Sequence, residues 1–208
     1  MELLQVRAVL FDMDGTLVTS DEAVERAWTT WAHEYGVDAT AVLAIAHGSP
    51  AESTVDRMLP GIEEPARSKA ANRQLELQYD DLSDVSAAPG AAEVLATIKQ
   101  LGLPWAVVTS ADRQLAKARL GAAGIDPPVL VTVEDISKGK PDPEGYLRAA
   151  ELLETSPTSC LVVEDAEVGL QAGRAAGAIT AALKGLSGDV NLTDLHQLAA
   201  LLDQRAHE

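Results

Sequence analysis

The chain has 208 residues and carries 32 acidic side chains against 16 basic ones, a formal net charge of −16 at pH 7. Binding to a phosphate backbone or an anionic lipid surface depends on clustered Lys and Arg, so this balance argues against nucleic acid and against membrane as partners. Hydrophobic residues make up 47% and aromatics only 3%, which predicts a packed core built mostly from Ala, Val and Leu.

A lone cysteine, Cys160, forbids an intramolecular disulfide and fits a reducing compartment. No apolar run approaches the ~20 residues that span a bilayer, and the N-terminus lacks the basic start and apolar stretch of a signal peptide. The expectation is a cytoplasmic globular protein, a monomer or weak homodimer, of one large domain or one domain with a small insert.

The first element is a strand, Ala8-Val9-Leu10-Phe11, a short apolar run of the kind buried on both faces. From about Thr19 to Ala88 no convincing strand follows. Val24, Ala27, Trp28, Trp31 and Tyr35 recur at helical spacing, and further helical patterns cover Ala39–Ala46, Ala51–Met58 and Glu64–Tyr79. Residues 19–88 therefore read as an inserted all-helical domain. Leu17–Ser20 is the outgoing linker, and Ser83–Gly90, ending in Pro89-Gly90, is the return.

Beyond it, helices over Gly90–Leu101, Asp112–Ala123, Pro143–Leu153, Glu167–Ala176 and Thr193–Leu202 alternate with strands Trp105–Val108 and Cys160–Val163 and weaker ones at Val129–Val133 and Ala178–Leu183. This alternation predicts an α/β fold. Residues 1–18 and 89–208 form a Rossmann-like parallel sheet core with helices on both faces. Gly169, Gly173 and Gly177 recur every four residues, which fits close helix–sheet packing.

The three strong strands all end in polar residues: Asp12 followed by Asp14-Gly15-Thr16, then Thr109-Ser110, then Glu164-Asp165. Parallel strands put these ends on one edge, where open α/β sheets bind ligands. Asp12 and Asp14 are two apart, so on extended backbone both side chains leave one face, and Gly15 permits a sharp turn. With Asp165 this crowds carboxylates, which raises their pKa values or calls for a cation. Oxygen ligands select a hard ion such as Mg²⁺. Thr109 offers a hydroxyl to a phosphoryl oxygen, and Lys140, in Gly139-Lys140-Pro141, offers positive charge. One carboxylate is placed to attack phosphorus, and another to protonate the leaving alcohol and then activate water.

Each of these residues also has an ordinary reading. A strand-end Asp is most often a turn former or helix cap, a threonine a turn hydroxyl, and a lysine a solvated side chain. Trp28 and Trp31 read first as insert core, His33 as surface, and His47-Gly48 as a helix end. The combination of strand ends outweighs these.

Phe11-Asp12-Met13-Asp14-Gly15-Thr16-Leu17, Val107-Val108-Thr109-Ser110, Lys138-Gly139-Lys140-Pro141-Asp142-Pro143 and Val163-Glu164-Asp165-Ala166 through Gly169 stand in this order along the chain. Together they resemble the four motifs of the haloacid dehalogenase superfamily, specifically its phosphatases with a helical cap inserted after the first motif. The resemblance implies Asp12 as nucleophile and metal ligand. Asp14 becomes general acid/base with its carbonyl on the metal, and Asp165 a ligand of Mg²⁺. It further implies Thr109 and Lys140 on the phosphoryl group. Glu164 is expected as a second-layer or water-mediated contact, since neighbouring strand positions point opposite ways. Ser110 and Gly15 join the phosphate side, with His47 and Gly48 as cap-side candidates.

Relatives with dehalogenase, phosphonatase or β-phosphoglucomutase chemistry differ at the Asp14 or Thr16 positions, or carry a histidine where Val18-Thr19-Ser20-Asp21-Glu22 stands. The nearest resemblance is to sugar and polyol phosphatases: hexitol phosphatases, glycerol-3-phosphatases and 2-deoxyglucose-6-phosphate phosphatases. It rests on Val24–Trp28 with Trp31, His47-Gly48, Pro104–Ser110 and Gly139–Pro141. Thr19 and Glu167 depart from the pattern, where aspartate and proline are common. The alternatives are a phosphosugar mutase, a phosphoglycolate-type phosphatase, or a non-catalytic magnesium- and phosphate-binding module. The expected substrate is a small-molecule phosphate ester. Its approach to a protein this acidic is credited to Mg²⁺ and Lys140, with Lys138 nearby.

Overall fold

The structure, a computed structural model, describes residues 5–46, 48–79 and 82–205. Chain order runs β1 (Ala8–Phe11), β2 (Val18–Thr19), α1 (Asp21–Tyr35), α2 (Ala39–Ala46), α3 (Ala51–Met58), α4 (Ala66–Tyr79), β3 (Ser86–Ala87), α5 (Ala91–Gln100), β4 (Trp105–Val108), α6 (Arg113–Ala122) and β5 (Leu130–Val131). It continues through α7 (Glu144–Leu152), β6 (Cys160–Glu164), α8 (Glu167–Ala175), β7 (Ile179–Ala182), β8 (Val190–Asn191) and α9 (Leu195–Arg205).

β1, β4, β5, β6, β7 and β8 make a parallel sheet in the order β5-β4-β1-β6-β7-β8. From β1 the chain builds outward through β4 and β5, then crosses back to β6 on the other side of β1. That reversal is the switch point at which open α/β sheets hold ligands.

Alternation along the strands sorts the core into two layers. Val9, Phe11, Val107, Leu161 and Val163 pack with Ile98 of α5, Leu115 of α6 and Leu198 of α9. Ala8, Leu10, Ala106, Val108, Cys160 and Val162 face the other way, onto Tyr146 and Ala149 of α7 and Ala172 of α8. Both faces are covered, which is why these strands read as unbroken apolar runs.

Helices α1–α4 hold a third apolar cluster around Trp28, Trp31, Val42, Val55 and Ala70. Trp31 is fully buried, stacks on Tyr35 with ring centroids 4.7 Å apart, and donates its indole N–H to the carbonyl of Ala70 at 2.8 Å. His33 is exposed, as its place on the helix suggested.

Three expectations need correction. Val18–Thr19 and Ser86–Ala87, read as linkers, pair antiparallel as a two-stranded ribbon. Two-residue strands show no periodicity, so only the pairing reveals them. The sixth strand of the sheet, β8, is equally short and is likewise revealed only by its pairing with β7. The Glu64–Tyr79 pattern forms helix only from Ala66, directly after Pro65, because a proline disfavours helical backbone in the residue before it. No helix among the described residues is long and apolar enough to cross a membrane.

Candidate active site

The chain leaves β1 at Asp12, whose backbone N–H donates to the carbonyl of Val163 on β6 at 3.0 Å. The turn begins at Met13, so Asp12 and Asp14 are not on one extended segment as expected, yet both line the same cleft. Gly15 has φ +80°, and a β-carbon there would lie 2.1 Å from Asp165 Oδ2. Only glycine allows this close approach of the first and fourth motifs.

Lys140 reaches Asp12 from the loop before α7. Its Nζ lies 2.5 Å from Asp12 Oδ1 and 2.7 Å from Glu164 Oε1, and donates to the carbonyl of Val108 at 3.2 Å. All three side chains are buried. Burial alone lowers the pKa of Lys140, but the charges of Asp12 and Glu164 outweigh it and hold the ammonium above the usual lysine range. Burial, and then the charge of Glu164, pushes the carboxyl of Asp12 well above the usual carboxylate range; Lys140 opposes this. Asp165 is raised by the same two causes, with Lys184 pulling the other way.

Glu164 is saturated. Its Oε1 accepts from Lys140 and from the hydroxyl of Tyr146 at 2.6 Å, and its Oε2 from the backbone N–H groups of Asp165 and Ala166 at 3.2 and 3.3 Å. The helix above leaves room for it only because residue 169 is glycine: a β-carbon there would sit 1.7 Å from Glu164 Oε1. Gly173 likewise makes way for Val162. Gly169→Ala is expected to cost about 1–3 kcal/mol by overpacking and to depress activity in parallel. Urea unfolding beside a turnover assay tests this; wild-type values in both would show that the seat of Glu164 is not needed.

Carboxylate oxygens of Asp12, Glu164 and Asp165 lie within 4.8 Å of one another. Oxygen-only donors, with two of the carboxyls raised by burial and by the charge of Glu164, fit a hard divalent cation. Asp12 and Asp165 are the fitting direct ligands, whereas Glu164 has both oxygens committed to protein donors. The Asp14 side chain stands outside this group. Its Oδ1 accepts from Ser20 Oγ at 2.6 Å, and its Oδ2 pairs with Nη1 of Arg119 at 2.7 Å.

Thr109 and Ser110 follow β4. Thr109 Oγ1 accepts from the backbone of Ala111 at 3.1 Å, which leaves its hydroxyl proton to give. Ser110 Oγ donates to the carbonyl of Gly48 at 3.0 Å, tying the sheet edge to the loop after α2. Gly48 packs so closely on Ala166 that a β-carbon would come within 2.6 Å of it. His47 lies outside the described residues.

Lys138 does not join the site: it is exposed and faces Asp142 at 3.8 Å. The second local cation is instead Lys184, whose Nζ lies 3.0 Å from Asp165 Oδ2 and 2.8 Å from Asp21 Oδ2. Sequence reasoning also missed Arg119, Tyr146 and Ser20. A signal existed for Arg119, which sits with Leu115 and Ala116 on the inward face of α6. Ser20 and Lys184 carried none.

A carboxylate–lysine–carboxylate group at the switch point of a parallel sheet, with a hydroxyl at the neighbouring strand end, describes an α/β hydrolytic site. Residues 6–177 match the haloacid dehalogenase-like hydrolase family, and the chain belongs to that family. It is 37% identical to hexitol phosphatase A of Escherichia coli (strain K12) over 97% of this chain and 94% of that one. It is 36% identical to 2-deoxyglucose-6-phosphate phosphatase 1 of Saccharomyces cerevisiae, over 95% of this chain and 84% of that one. A hydrolase from Pseudomonas syringae superposes with a TM-score of 0.85 at 25% identity, covering 95% and 98% of the two chains.

Proposed function

We propose that this protein is a Mg²⁺-dependent phosphatase of small sugar or polyol phosphate monoesters, acting through an aspartyl phosphate on Asp12. The observation that carries the reading is the buried Asp12–Lys140–Glu164 group, whose Asp12 lines the same cleft as Thr109 and Asp14. The phosphatase relatives named above support it.

In this reading the carboxylate of Asp12 attacks phosphorus while Lys140 and Thr109 hold phosphoryl oxygens. The bond to the substrate's ester oxygen breaks, and that oxygen takes a proton from Asp14 and leaves as the alcohol. Water then gives its proton to Asp14 and attacks phosphorus, which frees inorganic phosphate and restores Asp12. Asp12, Asp165 and the Asp14 carbonyl would hold Mg²⁺, which would supply positive charge against a dianionic ester in an acidic protein.

Residues 19–88 act as a cap that closes over the cleft, with the β2–β3 ribbon as its hinge. The separate core around Trp31 supports this, as does the pairing of the two connecting segments. A cytoplasmic setting suits the reading.

The test is a panel of phosphate esters with Mg²⁺ and detection of free phosphate. Sugar or polyol phosphates should be turned over, and excess chelator should abolish release until Mg²⁺ is restored. Absence of release across the panel, or full activity in chelator, would sink the proposal.

A further inference from the structure

Helix α4 turns two glutamines inward, toward a buried arginine of α6. Gln74 is fully buried, Gln78 nearly so, and Arg119 is 1% exposed. Arg119 Nη2 donates to Gln78 Oε1 at 2.7 Å, and Gln78 Nε2 donates to Gln74 Oε1 at 2.6 Å. A guanidinium has donors only, so it dictates that Gln78 turns its carbonyl toward Arg119. The amide nitrogen of Gln78 must then face Gln74, which answers with its own oxygen. The chain therefore runs in one direction and ends at Gln74 Nε2.

That nitrogen finds no acceptor among the described residues, and neither does Arg119 Nε. Both residues line the cleft that holds Asp12 and Thr109. Buried donors are almost always satisfied, because burial strips them of water. Two unsatisfied donors on one polar chain, on residues that line the same cleft as Asp12, mark a place where a ligand brings the acceptors.

Charge narrows what the acceptors are. Arg119 is already matched by Asp14 at 2.7 Å. Asp21, already paired with Lys184 at 2.8 Å, lies in the same lining. A second carboxylate on the substrate would meet carboxylates here, whereas a hydroxyl oxygen brings lone pairs without net charge. We infer that Gln74 Nε2 and Arg119 Nε form a hydroxyl-recognition subsite, which selects phosphate esters of neutral polyhydroxylated chains over alkyl phosphates and over esters bearing a carboxylate. This specificity rests on the phosphatase reading above.

Two substitutions at one position isolate the donor. Gln74→Glu keeps the oxygen that Gln78 needs and replaces the vacant N–H₂ with an acceptor. Gln74→Met removes the donor without adding charge. Phosphate release is measured for wild type and both variants on a hexitol 6-phosphate, on hexyl phosphate and on phosphoglycolate, with thermal unfolding as the folding check. Wild type should prefer the hexitol ester over each of the other two by at least tenfold in kcat/KM. Folded variants should lose about tenfold of the preference over hexyl phosphate, chiefly through KM. An undiminished preference in both folded variants overturns the subsite while leaving the phosphatase reading intact. So does a wild type that favours hexyl phosphate or phosphoglycolate. No phosphate from any of the three esters in wild type overturns both.

Discussion

Replacing Asp12 with asparagine should lower phosphate release by at least roughly 10⁴-fold, the scale of losing a nucleophile whose partners act as a unit with it. Asparagine keeps the shape, and its carbonyl can still accept from Lys140, so a loss on this scale would report chemistry and not collapse. The electrostatics point the same way. In the native site burial and the neighbouring charge of Glu164 already push the Asp12 carboxyl well above its usual range, so its ionised form is held at a cost in free energy. A neutral isostere relieves that cost and forgoes part of the Lys140 pair. The unfolding temperature of Asp12→Asn should accordingly stay within a few degrees of wild type. Substantial phosphate release by the folded variant would remove Asp12 from the nucleophile role and with it the aspartyl-phosphate mechanism.

The polar strand ends of the candidate site were legible in the sequence for a physical reason. Strands covered on both faces are continuous apolar runs, so Asp12, Thr109, Glu164 and Asp165 stand out as the points where such a run stops. What could not be read was pairing at a distance. Lys140 meets Asp12 across 128 residues of chain, and nothing local to either shows that they touch. Arg119 shares the inward face of α6 with Leu115, where a charged residue is ordinarily excluded. Gln74 and Gln78 look like the polar face of α4, since a glutamine spaced for solvent and one spaced for a buried partner are written alike. Their roles come from each other: Arg119 orients Gln78 and, through it, Gln74, while Gln78 and Asp14 engage the two terminal nitrogens of Arg119 and leave its Nε without a partner. The ribbon of β2 and β3 follows the same logic, as two segments short enough to pass for loops become ordered by pairing.

Lys140→Met is expected to cost about 3–5 kcal/mol of stability, the range for removing one partner of a buried ion pair, and to abolish measurable turnover. The lysine is the shared counterion of two buried carboxylates, at 2.5 Å from Asp12 and 2.7 Å from Glu164. Without it both face low dielectric with like charge beside them. The penalty should depend on pH in a definite direction. Asp12 has a folded-state pKa raised above its unfolded value, and losing Lys140, which pulls it down, raises it further. Between those two values the folded state binds more protons than the unfolded one, so stability falls as pH rises. The deficit against wild type is then smallest in acid and complete once pH exceeds the raised value. A second substitution separates charge from chemistry. Glu164→Gln in the Lys140→Met background removes one of the stranded charges and should recover part of the lost stability at neutral pH, with turnover still absent because no cation remains on that side of the phosphoryl group. Denaturant unfolding of the four proteins of this cycle across pH measures the coupling directly. Strictly additive losses, or a deficit that grows as pH falls, would show that Lys140 is not the charge partner that the 2.5 Å contact makes it.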